Sequence, residues 1–417
     1  MHYEMEQEEH DVYPDDPDFD INKARLVTTA PRICVRYECV PMRFIKHVYK
    51  IHTYAQDGRL FEGKTPVSAF LNSSYDGSFI AGLMELRYIQ SLPVERIINY
   101  FESHGFTLKK PTAHKLMEKA SSLFENLYKC IRQTALSDPY KAADETYYKI
   151  LVPEKNSKGK GVRKGYLWVV VGINTRMIYL LYDDGSRSEK VILNELGGCK
   201  GIIQSDGYSP YRKLESDAYP HITRIPCLQH IKRKFIDCGE DDPDAKRIVE
   251  MINTLYQNEH KHKIGVDGWT VEQNLMHRKK YAPDILGEIK DVLDDIEERG
   301  DLLPKSELKE AITYLRNEWN AVVDIFNYGD TYLDNNIVER MNRYISLSRK
   351  NSLFFGSHKG AERGAILYTI ALTCRMNKVN LFEYLTDIIN RTAEWQPNTP
   401  LEKYRQLLPD RWEKAND

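Results

Sequence analysis

The sequence predicts an α/β fold: a mixed sheet with helical regions before and after it and a helical block set into it. Three observations predict this. Strand-like runs rich in Tyr, Ile, Leu and Val occupy 140–152, 166–174 and 177–182, and the Lys- and Gly-rich turn between the first two closes a hairpin. From 188 onward, helical and strand-like segments alternate, as parallel crossovers require. Between 243 and 328 the apolar residues recur at helical spacing: Ile285, Ile289, Val292, Leu293 and Ile296, then Leu308, Ile312, Leu315, Trp319, Val322 and Val323. Those stripes are core-facing.

In chain order, residues 1–20 carry nine acidic residues and no Lys or Arg. Such a block is expected to be a solvated, disordered tail, assigned to 1–22. Residues 23–56 are modestly β-like, with strands expected at 32–37 and 43–54. Cys34 and Cys39 form the only close cysteine pair, and no second pair completes a four-ligand zinc site. Helices are expected over 78–90, over 94–103 after Ser91-Leu92-Pro93, and over 112–133, with Gly105 breaking the second. Two short helices joined through a glycine turn fit a helix-turn-helix, and they fit plain helix packing equally. After the three strands come a helix (188–196), a strand (201–204), a helix (211–214), a strand (222–226) and a basic helix (228–235). The order β-β-β-α-β-α-β-α is that of a ribonuclease-H-like core.

In that arrangement Asp144 lies inside the first strand and Asp206 at the C-terminal end of the fourth, a neighbour of the first. An acidic residue within a core strand needs a reason, because an unpaired buried carboxylate is costly. Past Gly329, Asp334 or Asn335 can cap a helix in which Asn335, Asn336, Glu339 and Arg343 share one face. Three carboxylates can therefore converge: Asp144, Asp206 and Glu339. Hard divalent ions prefer few carboxylates and leave positions for water and substrate oxygens. Lys232, Arg233, Lys234, Arg340, Arg343, Arg349 and Lys350 could hold phosphates beside them, or form a solvated charged face.

Composition agrees with a soluble globular chain of two or three domains: 417 residues, 41% hydrophobic and 29% charged. No apolar run approaches the roughly 20 residues of a membrane span, and the acidic N-terminus is unlike a signal peptide. Seven scattered cysteines argue against a disulfide framework and for a reducing cytosol. The formal net charge is −2, but setting aside the nine acidic residues of the tail takes it to +7, basic enough to meet phosphates.

These residues carry a family resemblance. The chain resembles the bacterial insertion-sequence transposases of the IS sixty-six type, whose catalytic domain is an Asp-Asp-Glu, ribonuclease-H-like nuclease. The matches come in order: Leu92-Pro93 and the helices after it, Ala143-Asp144-Glu145-Thr146, Ser205-Asp206-Gly207-Tyr208, Cys227-Leu228-Gln229-His230 with Arg233 and Phe235, Asn335-Asn336 with Glu339-Arg340, Arg349-Lys350-Asn351, Gly356-Ser357, and Asn377 with Leu381, Tyr384 and Leu385. They span roughly residues 60 to 392.

The resemblance implies a DNA transposase that cleaves at element ends and transfers the 3′-hydroxyl strand into target DNA. Asp144, Asp206 and Glu339 would be catalytic and hold two Mg2+ (or Mn2+) ions. Tyr208, His230, Arg233, Arg340, Arg343, Arg349 and Lys350 would contact DNA. Glu145 is left out, because it would point to the opposite face of the strand. The Cys227-x-x-His230 pair is expected near the active site and the element end rather than on zinc, and no zinc is expected. Implied partners are double-stranded DNA (element ends and target), further copies of the chain on that DNA, and accessory proteins of the same element. No membrane is implied, and the location would be the bacterial cytoplasm at the nucleoid.

The expected organisation is an acidic tail (1–22), a degenerate remnant of a zinc-ribbon region (23–60), and a helical DNA-binding region (61–136). The ribonuclease-H-like core begins at 137–240, is interrupted by a helical insertion (241–330), and resumes with the helix of the last carboxylate (331–357). A helical C-terminal segment (358–395) and a tail (396–417) follow. The front departs from the family: at the place of a cysteine-bearing ribbon stands His52-Thr53-Tyr54-Ala55-Gln56-Asp57-Gly58, with no cysteine. Two other readings share the same residues: a ribonuclease-H-like nuclease that cleaves without joining, and a catalytically inactive or domesticated DNA-binding descendant.

Overall fold

The structure, a computed structural model, describes residues 42–48, 50, 53–56, 59–62, 69–70, 73–155, 159, 161–239, 241–396 and 398–413. The acidic segment 1–22, the expected strand 32–37, and Cys34 and Cys39 lie outside them. The first elements are an antiparallel hairpin, β1 (Thr53–Gln56) and β2 (Arg59–Glu62). The strand expected over 43–54 is only partly realised: residues 42–48 are irregular. There Phe44 leaves strand geometry to enter an aromatic cluster with Phe79, Phe101 and Phe106.

Four helices follow: α1 (Gly77–Tyr88), α2 (Val94–Ser103), α3 (Lys110–Leu123) and α4 (Glu125–Ser137). Asp76 caps α1 by accepting from the Phe79 amide, and Pro93 sets the entry to α2. The helix expected over 112–133 is two helices. It bends at Phe124, whose φ of −91° and ψ of 3° leave the helical basin. The bend buries the Phe124 ring and turns α4 along the sheet, so packing overrides helix propensity.

The main sheet is built by β3 (Tyr140–Leu151), β4 (Val162–Gly172) and β5 (Met177–Tyr182), antiparallel in sequence. Across α5 (Glu189–Leu196), β6 (Gly201–Ser205) pairs parallel to β3. Across α6 (Ser209–Arg212), β7 (Ile222–Pro226) pairs parallel to β6, giving the order β5-β4-β3-β6-β7. Helices cover both faces, so Trp168, Val169, Val170 and Val171 run consecutively buried. The β5 edge is closed by side chains: the hydroxyls of Thr373 and Thr369 accept from the amides of Ile178 and Leu180 at 3.2 and 3.0 Å.

After β7 come α7 (Leu228–Ile236) and three helices, α8 (Pro243–Glu259), α9 (Val271–Arg299) and α10 (Glu307–Ile325), which enclose a second apolar core. The expected stripes supply it, through Ile289, Val292, Leu293 and Ile296 of α9 and Ile312, Leu315 and Val322 of α10. Two buried arginines brace this block, the first within it and the second to the sheet. Arg278 donates to Glu259 and to the carbonyls of Ile325, Tyr328 and Thr331. Arg224 of β7 pairs with Glu318 and Glu215 and donates to the Asp206 carbonyl at 3.2 Å.

The chain then returns to β3 as α11 (Asn336–Asn351) and β8 (Phe354–Phe355), and closes with α12 (His358–Met376), α13 (Leu381–Thr392) and α14 (Leu401–Arg405). The edge of β3 opposite β4 is shared. β6 pairs with Tyr140, Lys141 and Ala142, while β8 pairs with Lys149 and Ile150. Between them α11 lies along the open edge: Asn335 donates to the Ala143 carbonyl at 3.0 Å, and Arg349 donates to that of Tyr147. Asp144 sits in this gap. Among the described residues, no helix is long and apolar enough to cross a membrane.

Candidate active site

The parallel register pairs Ala142 with Gln204. Continued by two residues, it sets Asp144, inside β3, beside Asp206, which follows the C-terminal end of β6 where crevices form in α/β sheets. Asp206 begins a tight turn in which its Oδ1 accepts from the Tyr208 amide at 3.1 Å. Gly207 is required there, because a Cβ at this position would lie 2.4 Å from the Tyr314 hydroxyl. That hydroxyl also accepts from the Gly207 amide at 2.9 Å. Gly207→Ala is expected to cost about 1–3 kcal/mol by overpacking, read as a lower midpoint in urea unfolding. An unchanged midpoint would mean that Tyr314 moves aside freely.

Asp144 accepts from the Glu145 amide at 2.8 Å and from the Asn342 side chain at 2.6 Å. Burial pushes its carboxyl up to about 7, and the negative charges of Glu145 and Asp206 push the same way. The two hydrogen bonds oppose them. Glu145 leaves the opposite face of β3, where Arg187 pairs with it and the Tyr211 hydroxyl donates to it at 3.4 Å. Burial raises its pKa first; Arg187 pulls it down and the charge of Asp206 pushes it up. Glu145 thus belongs to the same electrostatic cluster although its side chain points away from Asp144.

Glu339 stands in the first turn of α11, three residues before Asn342 and on the same side of the helix. It faces His230: Oε1 lies 3.9 Å from Nδ1, too far for a hydrogen bond. Cys227, buried at the N-cap of α7, completes a group in which one ligand atom from each residue lies within 4.8 Å of the other two. Burial pushes the Cys227 thiol up to about 12, against the amides of Asn335, His230 and Gln229. The register thus sets Asp144 beside Asp206, and Glu339 stands on the same side of α11 as Asn342, which donates to Asp144.

His230 also lines a cleft of about 390 Å³ with Asp206, Gly207, Tyr208, Arg187, Arg233, Lys234, Asp237 and Tyr314. Among the described residues, seven buried side-chain N or O atoms have no hydrogen-bond partner. Four of them, His230 Nδ1, Glu339 Oε1, Asn335 Oδ1 and Asn342 Oδ1, belong to α7, α11 or the residue capping α11. Unpaired buried polar atoms are rare, and their concentration marks a place built for something other than stability.

The expected DNA-contacting residues divide. Arg233 is exposed on the cleft rim, Tyr208 and His230 line it, and Arg340, Arg343 and Lys350 are exposed along α11. Arg349 is used within the fold: its guanidinium binds the Tyr147 carbonyl and lies 3.9 Å from the centre of that ring. Three residues escape a reading of the sequence. Asn342 could have been found from its i+3 spacing to Glu339. Arg187, which reaches Glu145 and stacks 4.2 Å from the Tyr208 ring centre, carries no local signal. Glu145 is excluded by strand alternation alone.

The fold and this site define a mixed-sheet α/β protein with Asp144, Glu145 and Asp206 clustered on adjacent strands beside a cleft rimmed by arginine and lysine. The family model described as "Transposase IS66 family" matches residues 72–363, well over half of the chain, and the protein belongs to that family. Asp144, Asp206 and Glu339 all fall inside the matched span. Similar curated proteins come from Sinorhizobium fredii (strain NBRC 101917 / NGR234). "Uncharacterized protein y4jD" is 25% identical over 80% of this chain and 65% of its own length. "Uncharacterized protein y4hP" is 24% identical over 95% of this chain and 76% of its own. "Uncharacterized protein y4qI" is 26% identical over 88% of this chain and 69% of its own. The chain thus spans about two thirds of the length of the first of them.

Proposed function

We propose that the protein is a DNA transposase with a ribonuclease-H-like core, which cleaves at element ends and transfers the 3′-hydroxyl strand into target DNA. The observation that carries this reading is the meeting of three elements at the gap in the β3 edge: Asp144 inside β3, Asp206 just past the end of β6, and α11 held to Asp144 by the Asn342–Asp144 hydrogen bond. Family membership agrees with it. The residues present fit a hard divalent ion. Each Asp144 oxygen takes one donor and keeps a free lone pair, and Glu339 Oε1 is buried without a partner. Asp144, Asp206 and Glu339 would hold Mg2+ or Mn2+. When bound, a pair of such ions supplies activation of the attacking oxygen and stabilisation of the leaving one in an in-line displacement.

The chain's own groups do the remaining work. Asn342 orients the Asp144 carboxylate, and Arg187 pairs with Glu145 on the opposite face of β3, where strand alternation puts it. Arg233 and Lys234 on the rim, with Arg340 and Arg343 along α11, hold DNA phosphates and fix the scissile bond. Further copies of the chain, to bring two ends together, and accessory proteins of the same element remain part of the proposal.

The test is a joining assay with labelled element-end DNA, a target plasmid and Mg2+. Joined product supports the proposal. Cleavage without joining would favour a nuclease, and binding alone a domesticated DNA-binding protein. Binding should also be steeply salt-dependent, each phosphate contact contributing a slope of about −0.9 in log affinity against log salt. Arg233→Ala is expected to flatten the slope by about one such contact. An unchanged slope would remove Arg233 from the DNA-binding face.

A further inference from the structure

Cys227 and His230 are one helical turn apart at the start of α7, and Glu339 faces them from α11. The two helix starts are pinned to each other by backbone. The Leu228 amide donates to the Leu333 carbonyl at 2.9 Å, and the Asn335 amide donates to Cys227 Sγ at 3.3 Å. His230 Nδ1 and Glu339 Oε1 are both buried, both lack a hydrogen-bond partner, and face each other at 3.9 Å. A neutral hydrogen bond would have closed that distance. Ligand atoms about 2.0–2.3 Å from a shared tetrahedral ion stand roughly 3.3–3.7 Å apart. The observed group, all within 4.8 Å, needs about 1 Å of closure to reach this.

We propose that Cys227 Sγ, His230 Nδ1 and the Glu339 carboxylate form a transition-metal site, selective for Zn2+ over Mg2+, separate from the Asp144–Asp206 pair. The donor set decides the selectivity. A thiolate and an imidazole suit zinc and similar borderline ions, whereas Mg2+ takes oxygen ligands and gains little from sulfur. Binding releases the Cys227 proton to solvent. Three protein ligands leave a fourth position open, on the side where His230 lines the cleft with Asp206. Zinc held there takes Glu339 out of the set that would hold Mg2+, so zinc acts as an inhibitor; this consequence, unlike the binding itself, rests on the catalytic reading of Glu339.

The experiment titrates the full-length protein with Co2+, a probe whose thiolate charge-transfer and tetrahedral ligand-field bands report the site directly. One equivalent should saturate the bands, and Zn2+ should displace it. Cys227→Ser, which keeps an acceptor for the Asn335 amide, should lose the charge-transfer band while melting like the wild type. His230→Ala, at a partly exposed position, should weaken binding by more than about 10-fold. The Cys34→Ser/Cys39→Ser double variant controls for the one close cysteine pair in the sequence and should keep the band. Persistence of the band in Cys227→Ser, its loss in the double variant, or no saturable band in the wild type would overturn the proposal. Asp206→Asn separates the two readings: it should lose joining and keep the cobalt band.

Discussion

Asp144→Asn is expected to lower strand transfer by at least about 10³-fold, some 4 kcal/mol of transition-state stabilisation, while raising the thermal midpoint of the protein. Both effects follow from the same carboxylate. It stands beside Asp206 at the gap in the β3 edge, where the proposed mechanism places an oxygen ligand to a divalent ion. In the metal-free protein it is a buried negative charge next to Glu145 and Asp206, which is why its pKa rises to about 7. An asparagine keeps an acceptor for the Glu145 amide and removes the repulsion. A gain of about 1–2 kcal/mol, or roughly 2–5 °C in midpoint, is expected in EDTA near pH 8. Asp206→Asn should lower joining as severely. Joining within about 10-fold of wild type by either variant would remove that residue from the catalytic set. A midpoint unchanged by Asp144→Asn would show that the clustered charges are already relieved by solvent.

Arg224→Leu should destabilise the protein by about 3–5 kcal/mol, the usual cost of leaving one partner of a buried ion pair alone. Arg224 and Glu318 are both 1% exposed. Without the arginine, Glu318 keeps only Arg212, at 3.9 Å and partly exposed. The same guanidinium also holds the Asp206 carbonyl, so joining should fall with stability. The Arg224→Met/Glu318→Leu double variant removes both charges and should recover much of the loss in urea unfolding. Recovery of joining should be smaller, since the Asp206 carbonyl stays unheld. A single-variant cost under about 1 kcal/mol would mean that the network is not what joins α10 to the sheet.

Most elements of the core are legible in the sequence because their signals are local. The Tyr-, Ile-, Leu- and Val-rich runs of β3, β4 and β5, the Lys- and Gly-rich turn between the first two, and the 3.6-residue stripes of α9 and α10 each lie within one segment. The failures came where distant parts compete for the same residues. Phe124 breaks a helix because its ring is needed in the core, and Phe44 abandons a strand for an aromatic cluster.

By itself the sequence determined the α/β class, the family, and the identity of the three carboxylates worth testing, since residue type and order along the chain are enough for these. Only the tertiary structure decided who their neighbours are. Splitting the β3 edge between β6 and β8 makes the gap for Asp144, and α11 fills it with Asn342. Arg187 arrives from the loop before α5 and pairs with Glu145, while α7 sets Cys227 and His230 against Glu339. These are contacts between segments tens to hundreds of residues apart. Their energies depend on burial and charge at separations of a few ångströms, quantities that exist only once the chain has folded.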